Sequence, residues 1–141
     1  MKDTDTDTEF IGDLQINSRN GIVVSVEFID TKTETDTDMN TNTYLELDPN
    51  KYTFELKGTE FQIAVWNEIL KIPRGTTMTY SEIATSIGRP NSYRAVANAC
   101  GQNNLTILVP CHRVVGKNNL GGYKWGIERK KKLLDFEKSL R

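Results

Sequence analysis

Histidine occurs once in these 141 residues and cysteine only twice. No apolar run approaches the roughly 18 residues of a membrane-spanning helix. Each scarcity excludes something. Two cysteines cannot build a disulfide scaffold and suit a reducing compartment. One histidine and two cysteines fall short of an ordinary zinc ligand set, so no metal is expected. The polar start, Met1-Lys2-Asp3-Thr4, does not read as a secretion signal. The expectation is an intracellular protein, cytoplasmic or nuclear, with no membrane partner.

The net charge of −1 conceals a strong asymmetry. Residues 1–56 hold 4 Lys/Arg against 13 Asp/Glu, whereas residues 57–141 hold 14 against 6. A basic C-terminal part is the electrostatic footprint of a polyanion partner. A solvated lysine-rich helix explains it equally well, since Arg129-Lys130-Lys131-Lys132 alone supplies half the excess.

Length and this asymmetry suggest a division into residues 1–56 and 57–141. Thr4 to Glu9 and Thr31 to Thr43 are Thr/Asp-rich and lack apolar residues to offset ordering, so a disordered tail and a mobile loop are expected there. Phe10 to Ile16 and Ile22 to Ile29 read as strands joined by an Asn20-Gly21 hairpin turn, and Tyr52 to Leu56 as a third strand. Beyond Gly58 the spacing becomes helical. Phe61, Val65, Trp66, Ile69 and Leu70 share a face, with Thr59 as N-cap and Pro73 past the end. Tyr80 to Ile87, capped by Thr79, and Ser92 to Cys100 are two short helices across Gly88-Arg89-Pro90-Asn91, the pattern of a helix-turn-helix. Gly121-Gly122-Tyr123 marks a tight loop, and Ile127 to Leu140 a basic amphipathic helix.

The single histidine lies beside one of the two cysteines, in Pro110-Cys111-His112-Arg113-Val114. A free thiol, with a pKa of about 8.5, is only a few per cent thiolate near neutrality. Lowering it to about 5 would raise that fraction roughly thirtyfold, and an adjacent imidazole that accepts the proton is one route to such activation. The apolar run Leu105 to Val109 before Pro110 suggests a buried segment delivering this thiol to an interior turn.

Pro110-Cys111-His112-Arg113-Val114-Val115, preceded by Arg94-Ala95-Val96 and Asn103, with Gly58-Thr59-Glu60-Phe61-Gln62 and Val65-Trp66 upstream, resembles the O6-alkylguanine-DNA alkyltransferases. The likeness runs from about Gly58 to Glu137, with a weaker trace in the Ile11 to Ile29 hairpin. It implies an α/β (α+β) fold, with a small, reduced N-terminal antiparallel β-sheet packed on a C-terminal helical domain that carries the helix-turn-helix. It also implies DNA repair by irreversible, single-turnover transfer of an alkyl group from O6 of guanine to the protein's own cysteine, without a cofactor. By that resemblance Cys111 is the nucleophile and His112 a base acting through water. Glu137 orients and charges the histidine, Tyr80 donates to the departing guanine, and Asn103 braces the active-site turn. Arg94 would fill the gap left by a flipped base, with Ala95, Ser81, Arg89, Tyr80 and Lys124 at the DNA. Val114, Tyr123 and Lys124 would line the substrate pocket. The implied partner is double-stranded DNA containing O6-alkylguanine, bound through its minor groove by a monomer.

Three departures from the family pattern stand out. Asn104 and Thr106 replace prolines, which leaves the segment before the cysteine less rigid. Lys124 replaces a small polar residue and offers an additional phosphate contact. The N-terminal domain is shortened. Two other readings compete: an alkyltransferase-like protein that binds lesions without repairing them, and a cysteine hydrolase with a Cys-His dyad. Relatives of the first kind lack the cysteine, and no oxyanion-hole loop is legible for the second.

Overall fold

In a computed structural model, residues 6–29 and 47–140 are described, and they form two compact units. The first comprises residues up to Glu55 together with Asn104–Leu108; the second comprises Leu56–Asn103 and Val109–Arg141. A three-stranded antiparallel sheet and four helices give the mixed α and β composition that the sequence predicts.

The first unit is built on β1 (Thr6–Ile11), β2 (Leu14–Arg19) and β3 (Ile22–Phe28), paired in that order. Asn20 and Gly21 take positive φ values of 56° and 81°, as the two-residue turn between right-twisted strands requires. Gly12, at φ 60°, makes a second tight turn and breaks the single strand expected from Phe10 to Ile16. A further correction concerns Thr6–Glu9, expected in a disordered tail. These residues pair with Ile16–Arg19 in β1, although their side chains are exposed. Backbone pairing and the β-preference of threonine replace the apolar burial they lack. The Thr31–Thr43 repeat lies outside the described residues.

A bulge between Asn17 and Ser18 shifts the register, pairing Asn17 with Ser25 but Ser18 with Val23. Val23 and Val26 are therefore both buried, while Val24 between them is exposed. The other edge of β3 is taken by irregular chain. Val23 N–H donates to Thr53 O (2.8 Å) and Val26 N–H to Asn104 O (2.8 Å). The third strand expected over Tyr52–Leu56 reduces to one bridge, Val23 with Phe54.

The second unit begins with α1 (Glu60–Ile69), whose Thr59 and Gln62 form a reciprocal capping box at 3.0 and 3.1 Å. β4 (Met78–Thr79) leads into α2 (Tyr80–Ser86), where Thr79 and Glu82 repeat the device at 2.8 and 3.0 Å. Gly88, at φ 79°, turns the chain into α3 (Tyr93–Gly101). Val65, Trp66, Ile69, Ile83, Ala84, Val96 and Ala99 are buried in this unit, and Trp66 Nε1 donates to Ala99 O at 3.0 Å. A single 3-10 turn, Cys111–Arg113, precedes β5 (Val114–Val115), which pairs parallel with β4. The chain ends in α4 (Ile127–Ser139).

Candidate active site

The thiol of Cys111 sits on the 3-10 turn, 6% exposed. Its N–H donates to Val109 O at 2.7 Å, and Asn103 Nδ2 donates to the same carbonyl at 3.0 Å. Asn103 thus ties the chain after the end of α3 to the carbonyl that precedes the turn. Cys100, near the end of α3, is the second free thiol. A hydrogen bond that the Cys111 thiol donates to the Cys100 side chain, burial and the Cys100 charge push the Cys111 thiol well up, whereas Asn103 and Lys130 pull it down. The lowered thiol considered from the sequence is therefore not the resting condition.

The single imidazole is next in the chain. His112 and Glu137 are both fully buried, and His112 Nε2 lies 2.8 Å from Glu137 Oε2. A carboxylate can only accept, so Nε2 carries the ring hydrogen and Nδ1 becomes the basic nitrogen. Burial lowers the imidazole pKa, Glu137 raises it, and the Arg113 and Lys130 charges lower it again, leaving it below its ordinary value. Glu137 has further donors. Arg113 Nε reaches Oε1 at 2.9 Å and Nη2 reaches Oε2 at 2.7 Å, while Nη1 donates to Ile72 O at 2.8 Å.

A second buried cation closes the far side. Lys130 Nζ donates to Val114 O (2.6 Å) and Gly122 O (2.8 Å), 5.8 Å from the centre of the Tyr80 ring. Desolvation lowers this ammonium to about 8, against the charges of Cys100 and Cys111, which raise it. Gly122 N–H in turn donates to Tyr80 Oη at 3.3 Å. A Cβ on Gly121, at φ 73°, would lie 2.5 Å from that oxygen, so glycine is what lets the loop approach the phenol. Burial and nearby Cys100 push the Tyr80 hydroxyl up; the Gly122 bond opposes them.

The structure therefore gathers Cys111, His112, Glu137, Asn103 and Tyr80 with Val114 and Tyr123, whose ring stands edge-on to His112 at 6.4 Å. Val114 contributes its carbonyl to Lys130, its side chain being fully buried. Lys124, expected to face DNA phosphate, directs its ammonium to Asn103 O at 3.3 Å and lies 5.3 Å from the Trp125 ring. Ser81, Arg89, Arg94 and Ala95 are exposed on α2, the turn and α3, with the Arg89 guanidinium 5.9 Å from the Phe61 ring. Lys130 and Arg113 are site residues that sequence reasoning missed. Lys130 was counted with a solvated basic run, yet it is fully buried and only Lys131 and Lys132 beside it are exposed. The available signal was spacing. Lys130 precedes Glu137 by seven residues, two helical turns, and so shares its inward face. Among the described residues there is no cluster of three or more His, Cys, Asp or Glu able to hold a metal, and no helix long and apolar enough to cross a membrane.

A family profile described as "6-O-methylguanine DNA methyltransferase, DNA binding domain" matches residues 60–139. The chain is 52% identical over 122 residues to a probable methylated-DNA–protein-cysteine methyltransferase of Acanthamoeba polyphaga mimivirus, covering 82% of each. It is 54% identical over 84 residues to the Saccharomyces cerevisiae methylated-DNA–protein-cysteine methyltransferase, covering 59% of this chain and 45% of that one. Its backbone resembles the crystal structure of Mycobacterium tuberculosis OGT in complex with DNA, with a TM-score of 0.75 and 35% identity over 95% of this chain and 91% of that one.

Proposed function

We propose, for a chain that belongs to the 6-O-methylguanine DNA methyltransferase family, that it repairs DNA by moving an alkyl group from O6 of guanine onto Cys111. The observation that carries this reading is one buried thiol on a turn whose next residue is a histidine held by a buried carboxylate. Attack at a small saturated carbon favours a soft, unhindered anion, and thiolate is the side-chain nucleophile of that kind. Cys111 gives its proton, through water, to His112 Nδ1, with Glu137 holding Nε2. The sulfur bonds to the alkyl carbon as the carbon–O6 bond breaks. O6 becomes a carbonyl, and the negative charge left on the ring is met by a proton from Tyr80 Oη. The thioether formed at Cys111 has no route back to thiol, so each molecule acts once.

O6 is inaccessible within the stacked duplex, so the base leaves the helix at a cost of a few kcal/mol. In this reading α2 and α3 form the helix-turn-helix that meets double-stranded DNA from the minor groove. Readout there is degenerate, which suits a protein working in any sequence. Arg94 takes the vacated space and Ala95 permits close backbone approach. The protein acts as a monomer. Incubation with an oligonucleotide containing O6-methylguanine should add the mass of one CH2 group per molecule, localised to the Cys111 peptide. Repeated turnover with unmodified Cys111 would refute the proposal, and lesion binding without loss of thiol would support a sensor instead.

A further inference from the structure

The Glu137 carboxylate that orients His112 belongs at least as much to Arg113. Oε2 accepts from both the ring and Arg113 Nη2, at 2.8 and 2.7 Å, and Oε1 accepts from Arg113 Nε at 2.9 Å. This is the two-point fork geometry in which a guanidinium matches a carboxylate most closely. Its third arm is fixed too, since Nη1 donates to Ile72 O at 2.8 Å, so the guanidinium has little freedom to leave. The pair is removed from water, with Glu137 0% and Arg113 12% exposed at the side chain. There the charges act on the ring with little screening.

A lone buried carboxylate against an imidazole would draw a proton onto it and hold the ring as imidazolium. An imidazolium cannot accept another proton. We propose that Arg113 is a positioning residue of the transfer reaction: by clamping both oxygens of Glu137 it compensates the carboxylate's charge, so that His112 is oriented by Glu137 yet stays neutral and ready to accept the Cys111 proton. The other groups bearing on the ring are Lys130, a second cation from α4, and the Tyr123 ring from the preceding loop. Past the end of α1, Arg113 is held by a carbonyl, Ile72 O. Burial is the largest cause that lowers the His112 pKa, and the Arg113 charge lowers it further against the pull of Glu137.

This inference rests on the alkyl-transfer reading for its consequence but not for its measurement. The chain contains a single histidine, so its imidazole resonances need no assignment. In the full-length protein, Arg113→Gln should raise the His112 titration midpoint seen by NMR by about one pH unit. The acid limb of the rate of methyl transfer to Cys111 should move upward with it. Arg113→Lys keeps a charge but loses the fork, and should raise the midpoint by about half as much. A purely structural role would lower the unfolding midpoint without moving the titration. An unchanged His112 midpoint in either folded variant overturns the proposal, and Arg113→Lys serves if Arg113→Gln does not fold. Failure of wild-type protein to take up a methyl group would instead overturn the function, leaving the titration result intact.

Discussion

Removing the Cys111 sulfur tests the site at its smallest scale. Cys111→Ala should abolish methyl transfer while leaving lesion-DNA affinity, measured by fluorescence anisotropy, within about twofold, because a methyl group fills the site without burying new polarity. Lys130 makes a different prediction, from its charge. Its ammonium titrates at about 8 in the folded protein against an ordinary value of 10.5. Below about 8 both folded and unfolded chains carry the proton, and the folded one bears the cost of a buried charge. Between about 8 and 10.5 the folded chain has released it while the unfolded chain has not, so this group makes stability rise with pH in that window. Lys130→Met should remove that rise. The gap between wild type and variant in urea midpoint should therefore shift in favour of wild type from pH 7.5 to 10, and a constant gap would contradict the assignment. Of this site, the Cys-His pair and Asn103 were legible because they help carry the resemblance, and Tyr80 and Glu137 were expected because the resemblance implies them. Lys130 and Arg113 were not, because a sequence displays charge but not which way a helix or turn faces.

Elements were legible where local chemistry decided them. Thr59 and Thr79 mark the starts of α1 and α2 in the sequence, and each forms a reciprocal capping box, with Gln62 and Glu82. Thr59→Ala should therefore lower unfolding free energy by about 1 kcal/mol in chemical denaturation; no change would mean the box is redundant. Where long-range pairing decided, the sequence was silent. Nothing in Thr6–Glu9 announces a strand, since its partner supplies the hydrogen bonds. Nothing in Ile22–Phe28 announces the bulge that buries Val23 with Val26, because a strict alternation of period two would have buried Val24 instead. Likewise the parallel pairing of β4 with β5 joins residues 36 apart in sequence, Met78 and Val114. At the level of α3, the finger role proposed for the exposed Arg94 predicts a separation of binding from chemistry. Arg94→Ala should slow repair of duplex DNA at least tenfold more than methyl transfer from a free O6-alkylguanine base, which has no stack to leave. Equal losses on both substrates would remove the finger role.

Across the whole chain, charge is divided rather than balanced. The 14 basic and 6 acidic residues of 57–141 accompany the helices and the site, and the acidic excess lies before them. Burial trims the basic excess available to a partner, since Lys130 is enclosed and Arg113 is committed to Glu137. Arg89, Arg94, Lys131, Lys132 and Lys138 are among the cations that stay exposed and would be available for phosphate contacts. If the net charge governed association, a protein at −1 would be nearly indifferent to salt. If local charge governs, each phosphate neutralised releases condensed counterions, and log affinity falls against log salt with a slope of about −0.9 per contact. A duplex-binding titration at several salt concentrations should therefore give a slope of about −2 to −4, the value for two to four contacts. Lys131→Ala or Lys132→Ala should weaken binding without changing the rate of methyl transfer at saturating DNA. A slope near zero would mean that the basic half of the sequence is a solvated helix face and that DNA is held by some other surface.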